Sequence, residues 1–178
     1  MGGMFYGASA FNGDLSAWDV SRVGDMKGMF TASAFNGDLS KWNVSQVTTM
    51  DGMFNLAFPF NADLSKWNVA GVTDMSRMFE WASAFNGDLS NWDVSRVGDM
   101  SGTFRDASVF NGDLSKWNVG KVTNMGKMFS GAIYFNGDLS KWNVGEVISM
   151  EKIFYEASAF NQDLSKWNVG KVTTMEEM

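Results

Sequence analysis

The hydrophobic positions of this chain recur at a nearly fixed interval along its length. The recurring unit reads Phe-Asn-x-Asp-Leu-Ser-x-Trp-Asx-Val-x-x-Val-x-x-Met, with successive copies offset by 24 residues once and by 25 residues five times. A fixed period of this length is typical of proteins in which each copy forms one coil stacked on the next. The seven copies open at Phe11, Phe35, Phe60, Phe85, Phe110, Phe135 and Phe160.

Within one copy, the apolar spacing changes from that of a strand to that of a helix. Trp67 and Val69 alternate with polar residues, which is the period of two of a short strand. One face of a short helix is then predicted from Val72, Met75, Phe79 and Ala82. We therefore predict an α/β solenoid, a leucine-rich-repeat-like array of seven coils of ~25 residues. Each coil would hold a short parallel strand and a short convex helix or 3-10 turn.

A turn is predicted at Phe-Asn-Gly-Asp, between the helix of one coil and the strand of the next. Asn and Gly both tolerate positive φ. Because Ala62 and Gln162 replace the glycine in two copies, we expect the asparagine to carry the positive φ. The Trp and Phe rows share the phase of Leu and Val, so we expect them to form the core.

The repeat runs through the whole chain, so residues 1–178 are predicted to be a single continuous repeat domain. The segments Met1–Phe5 and Met175–Met178 occupy the same phase of the repeat, so we expect the domain to be cut mid-repeat at both ends, without capping repeats. Exposed end coils favour stacking on another copy, and self-association through them is one expected outcome.

Composition excludes several kinds of site. The chain has no cysteine and no histidine, which excludes disulfides, thiolate or imidazole ligands and Ser–His chemistry. The net charge is −6 and the 14 basic residues are dispersed, which argues against nucleic acid as a partner. We predict no membrane span, because no apolar run reaches about 18 residues. The segment Met1–Phe5 lacks the features of a signal peptide.

One aspartate recurs in every copy and forms a row once the coils stack. Neighbouring carboxylates would repel one another, so each needs a compensating interaction. The first interpretation is an Asx turn, in which each Asp accepts a backbone N–H bond; the alternative is calcium bridging between coils. We predict no cofactor and no dedicated metal site. The row is Asp14, Asp38, Asp63, Asp88, Asp113, Asp138 and Asp163.

Two further rows, one of lysines and one of Asn or Asp residues, lie on the outward face of the predicted strand. We call this surface the Lys–Asx face. One interpretation is a solvated surface whose lysines neutralise the acidic rows. The other is a polar groove that binds an anionic glycan or a protein. The candidate ligand-binding residues are Lys41, Lys66, Lys116, Lys141, Lys166, Asn43, Asn68, Asp93, Asn118 and Asn143.

Catalysis is not predicted. Every copy offers the same carboxylate pair, whereas an active site needs one position made different from the others. A binding face should carry irregular residues clustered on one side, whereas a rod can stay regular. The outward strand positions are rather regular, and the positions on the predicted convex side vary more. They include Thr31, Leu56, Trp81, Asp106, Gly131 and Glu156.

The segment FNGDLSKWNVSQVTTMDGMF, residues 35–54, closely resembles the bacterial surface-protein repeat related to the BspA-like leucine-rich repeats. The resemblance covers practically the whole chain. It implies a leucine-rich-repeat-like fold, an extracellular or cell-surface location and a role in adhesion, and it supplies no catalytic residue. We therefore expect a non-enzymatic scaffold that binds a protein or glycan on another cell surface. The alternative is a self-assembling rod formed by head-to-tail stacking.

Overall fold

The computed structural model describes residues 1–178 and contains neither an α-helix nor a β-strand. Accordingly, it has no helix that could cross a lipid bilayer. The predicted α/β solenoid, with its leucine-rich-repeat strand and convex helix, is therefore wrong, and the chain forms a stack of coils built from turns. Regular pairing is limited to parallel bridges one residue wide, at Asp25–Thr49, Thr49–Asp74, Asp74–Asp99, Asp99–Asn124, Asn124–Ser149 and Ser149–Thr174.

The helix was predicted in what we call the ladder segment, which consists of residues 74–82 and their equivalents in the other coils. The backbone of this segment is incompatible with a helix. Its φ angles reach 55° at Arg77 and 60° at Trp81, whereas an α-helix needs φ near −63° throughout. Alternate N–H groups donate to the next coil. Between them, the N–H groups of Met78 and Glu80 donate to carbonyls three residues back, and that of Ser76 donates to Asp74 Oδ1. The inter-coil bonds join Met75, Arg77, Phe79 and Trp81 to the carbonyls of Asp99, Ser101, Thr103 and Arg105.

The segment around Trp67 was predicted to be a strand. Its alternation of burial is as predicted, since Trp67 and Val69 are buried and Asn68 between them is exposed. However, the N–H of Trp67 donates to the carbonyl of Leu64 in its own coil, at 3.0 Å. Asn68 Oδ1 also accepts the N–H of Ala70, at 3.2 Å. Such local bonds compete with a sheet ladder, so the segment becomes a series of turns.

Side chains supply inter-coil hydrogen bonds where a sheet would use its backbone. Trp67 Nε1 donates to the carbonyl of Leu39 at 3.0 Å. The N–H of Asn61 donates to Asn36 Oδ1 at 2.7 Å, and this asparagine bond recurs from coil to coil. No asparagine has positive φ, so that prediction is wrong, and the positive φ angles cluster in the ladder segments.

Stacked aromatic rings fill the interior. The ring of Phe79 lies 4.0 Å from that of Phe85, six residues later, and 5.7 Å from that of Phe104, its equivalent in the next copy, measured between centroids. Trp67 and Trp92 stack with their planes 2° apart. The prediction that the Phe and Trp rows form the core is confirmed in the interior coils, where these side chains are at most 4% exposed, whereas Trp18 at one end of the stack is 40% exposed. Each ring also packs on the equivalent rings of neighbouring coils, so stability depends on stacking.

Candidate binding surfaces

The recurring aspartates are held in Asx turns. In each copy, an Asp Oδ1 accepts the N–H of the serine two residues later, as Asp88 does from Ser90 at 2.9 Å. The backbone and side-chain hydrogen bonds from Ser90 hold the pKa of Asp88 below its ordinary value. The Asx-turn interpretation is confirmed. No group of three or more acidic residues is arranged to hold a metal ion.

The Lys–Asx face lies in solvent, with all ten of its candidate residues exposed. Asn118 Oδ1 accepts the N–H of Gly120 at 3.2 Å, so the Asx residues also stabilise their own turns. A shallow groove of about 320 Å³ brings Lys116 and Asn118 beside Asp93 of the preceding coil. The five lysines form no ion pair within 4 Å. A binding role for this face stays a prediction.

The outward side of the ladder segments differs from coil to coil, and we call it the ladder face. The residues that the sequence marked as irregular lie in these segments, although no helix carries them. Large aromatic side chains are exposed there, with Tyr6 at 69%, Trp81 at 41% and Tyr155 at 40%. This is the least regular surface of the stack.

Ion pairs on the ladder face connect neighbouring coils. Lys27 Nζ lies 2.7 Å from Asp51 Oδ2, and Arg77 Nε lies 3.4 Å from Asp51 Oδ1. In the next pair, Arg105 Nη1 lies 3.0 Å from Glu80 Oε1. The Asp51 and Glu80 side chains are only 9% and 10% exposed, whereas those of Lys27 and Arg77 are 65% and 57% exposed. The acids are thus covered and the cations face solvent.

The largest cavity, of about 450 Å³, lies on the ladder face, and we call it the glycine trough. Gly3, Gly28 and Gly52, from three successive coils, line it with φ angles of 58° to 63°. A Cβ at Gly3 would meet nothing within 4 Å, and one at Gly52 would meet nothing closer than 3.7 Å. The side chains around the trough are Tyr6, Lys27, Thr31, Asp51, Asn55 and Arg77.

Two smaller grooves lie further along the ladder face. One, of about 270 Å³, includes Arg77, Glu80 and Arg105. The other, also of about 270 Å³, includes the exposed aromatic residues Trp81 and Tyr155. Beside them, burial raises the pKa of Asp106, against the opposing effect of the Arg105 guanidinium.

The convergence of Lys27 and Arg77 on Asp51 was not predicted from the sequence. Aligning the copies does place Lys27 and Asp51 at the same phase in adjacent coils, with Arg77 one position further on in the coil after. That alignment could have suggested a contact. It could not have revealed that the carboxylate is covered while both cations stay exposed, because this depends on the backbone of the ladder segment.

Comparison with known families gives one match. A family described as "Mycoplasma protein of unknown function, DUF285" matches residues 1–111 and 83–178, which together cover the chain. The match supports a repeat family and does not single out the BspA-like leucine-rich repeats. No curated protein matches the chain.

Proposed function

We propose, on the premise that the chain belongs to this DUF285 family of unknown function, that it is a non-enzymatic repeat scaffold. In this proposal, the stacked aromatic core holds the coils rigidly, and the ladder face binds a partner. The partner would be a protein or a glycan, recognised by side chains that change from coil to coil.

The irregularity of the ladder face carries this proposal. Packing and turn formation account for the Phe, Trp, Asn and Asp rows, and these rows repeat in nearly every coil. Neither requirement accounts for an exposed Trp81 in one coil and an exposed Tyr155 three coils later. Exposed aromatic residues beside paired charges are common features of binding surfaces.

We place the protein at the cell surface or outside the cell as part of the same proposal. The resemblance of the repeat to bacterial surface-protein repeats supports this location. Labelling of intact source cells with an antibody raised against the chain tests it. Signal that appears only after the cells are permeabilised would contradict a surface location.

A binding screen tests the scaffold function. The wild-type chain is applied to a glycan array and to extracellular proteins of a host cell, together with two double variants. We expect partners to be lost by Trp81→Ala/Tyr155→Ala on the ladder face. They should be retained by Lys116→Ala/Lys141→Ala on the Lys–Asx face. The reverse pattern would instead favour the Lys–Asx face, and an absence of partners would contradict the scaffold proposal.

The alternative function is a structural rod formed by head-to-tail stacking of chains. Light scattering over a hundredfold range of concentration tests it. A mass that grows with concentration would support the rod, and a constant monomer mass would exclude it under those conditions.

A further inference from the structure

The glycine trough has the features of a polar ligand site. The N–H groups of Gly3, Gly28 and Gly52 all donate to carbonyls of the next coil, so none of these three donors is free for a ligand. A ligand must therefore be recognised by the side chains around the trough. Among these, Tyr6 is the single hydrophobic residue and every other side chain carries a polar or charged group.

The charges of the trough favour a single negative group. Lys27 and Arg77 are the cations and Asp51 is the one acid among its lining residues, which leaves one excess positive charge. Asp51 is buried and lies between Lys27 and Arg77. Its carboxylate therefore holds both cations in place while it is itself shielded from solvent. A cationic ligand would be repelled, and a carboxylate would be attracted.

Arg77 retains the geometry that carboxylate recognition requires. Its Nε approaches Asp51, and neither of its Nη groups donates a hydrogen bond within the protein. A guanidinium edge with two free N–H directions matches the two oxygens of a carboxylate. Lys27 Nζ contacts the other oxygen of Asp51 and retains further donor capacity.

The remaining polar groups favour a ligand rich in hydroxyl groups. Thr31 uses its hydroxyl proton to donate to the carbonyl of Gly52 at 2.8 Å, which leaves its oxygen able to accept. Asn55 donates through Nδ2 to Glu80 Oε2 at 2.9 Å, which leaves Oδ1 as an acceptor. The exposed ring of Tyr6 offers a flat surface on which the C–H face of a sugar ring can pack.

We propose that the glycine trough binds an acidic glycan, through a sugar ring that carries one carboxylate. The carboxylate lies on the free edge of Arg77 and near Lys27, and ring hydroxyls donate to Thr31 and Asn55. The ring packs on Tyr6. This inference rests on the proposed scaffold function and assigns one ligand class to the trough, which is a part of the ladder face separate from the groove of Trp81 and Tyr155.

Isothermal titration tests the proposal with two probes, a hyaluronan tetrasaccharide and a galacturonic acid tetramer. The matched ligand controls are the same oligosaccharides with their carboxylates reduced to alcohols. Two trough variants, Arg77→Gln and Lys27→Gln, are compared with Lys116→Gln, which removes a lysine from the Lys–Asx face. Thermal unfolding establishes that every variant is folded.

We expect at least one acidic probe to bind and its reduced form to bind at least tenfold more weakly. Arg77→Gln should weaken binding about 10- to 100-fold, as expected for the loss of hydrogen bonds to a charged group. Lys27→Gln should weaken it less, and Lys116→Gln should leave it unchanged. A hexaglutamate peptide serves as the competing ligand.

Three results would overturn the inference. They are no binding of either acidic probe, equal binding of the reduced probes, or undiminished binding by Arg77→Gln. Tight binding of hexaglutamate without binding of either saccharide would also overturn it, in favour of an acidic peptide. The scaffold proposal would survive each of these results if the array screen still found partners lost by Trp81→Ala/Tyr155→Ala.

Discussion

Trp92 donates its indole N–H to the main-chain carbonyl of Leu64, 3.0 Å away in the preceding coil. Both residues are buried, at 4% and 0% exposure, so no solvent replaces this bond if the donor is lost. The same bond joins each later tryptophan of the row to the coil before it. In this part of the coil, a side chain thus makes the hydrogen bond between neighbouring coils that backbone groups make in a β-sheet.

Replacing Trp92 with phenylalanine should therefore destabilise the fold. The carbonyl of Leu64 would lose its donor, at a cost of about 1–3 kcal/mol, with a further loss from the smaller ring. Urea denaturation followed by circular dichroism measures the free energy of unfolding. Trp18→Phe is the matched control, because Trp18 is 40% exposed and its indole makes no hydrogen bond. Equal losses in the two variants would contradict the role of the indole bond.

Gly52→Ala should destabilise the protein through its backbone alone. Gly52 has a φ of 59°, and an added Cβ would meet no atom closer than 3.7 Å. The strain of an L-residue in this region costs about 1–2 kcal/mol. Gly98→Ala is the control, because its Cβ is equally unobstructed, at 3.8 Å, and its φ is not positive. Thermal and chemical unfolding should separate the two, and comparable stabilities would exclude backbone strain as the cause.

Replacing an asparagine of the exposed inter-coil row should also destabilise the protein. Asn86 Oδ1 accepts the N–H of Asn111 at 2.9 Å, and Asn86→Ala removes that acceptor. We expect a loss of about 0.5–1.5 kcal/mol, and Asn86→Asp should restore part of it because it keeps an acceptor oxygen. Asn91→Ala serves as a control on an exposed asparagine whose side chain makes no hydrogen bond. A loss as large in Asn91→Ala would show that the row is not the source.

The Asx turns predict the pH dependence of stability. Hydrogen bonds from the following serine lower the pKa values of Asp88, Asp113 and Asp138 in the folded state. Groups with a depressed folded pKa contribute stability above their unfolded pKa of about 4, and this contribution disappears as the pH falls through the folded pKa. The free energy of unfolding should therefore decline below about pH 4.

The triple variant Asp88→Asn/Asp113→Asn/Asp138→Asn checks the origin of that decline. Asparagine keeps the acceptor oxygen but cannot titrate, so the variant should lose stability less steeply as the pH falls. Denaturation curves recorded from pH 6 to pH 2 give the slopes. Parallel slopes in the variant and the wild-type chain would mean that other groups cause the acid sensitivity.

The sequence predicted the interior better than the backbone path. The phase shared by Trp67, Val69 and Phe79 placed them in the core, because burial follows from hydrophobicity and period. The same spacing misidentified the ladder segment as a helix. Turns that recur every four residues place Met75 and Phe79 on the inside, as a helix would. The positive φ angles of Arg77 and Trp81 could not be predicted, because arginine and tryptophan rarely adopt positive φ.

The candidate sites could also be predicted from the sequence only in part. The regular rows of lysine and asparagine were visible in the sequence because most coils repeat them. The glycine trough was not visible, because it depends on how the fold brings Gly3 and Gly52 beside the side chains of Lys27 and Arg77, with no atom closer than 3.7 Å to a Cβ at either glycine. Only the folded backbone shows that Lys27 and Arg77 meet at one carboxylate.

Arg77 occupies a position that is glycine in the three preceding coils and again in the next one, at Gly102. Its side chain borders both the glycine trough and the following groove, and so acts as a partition between two compartments. Exchanging this one coil for a glycine-bearing copy would merge the compartments into a single channel. Duplication or replacement of whole repeats could therefore lengthen or divide the binding surface while the aromatic interior stays the same.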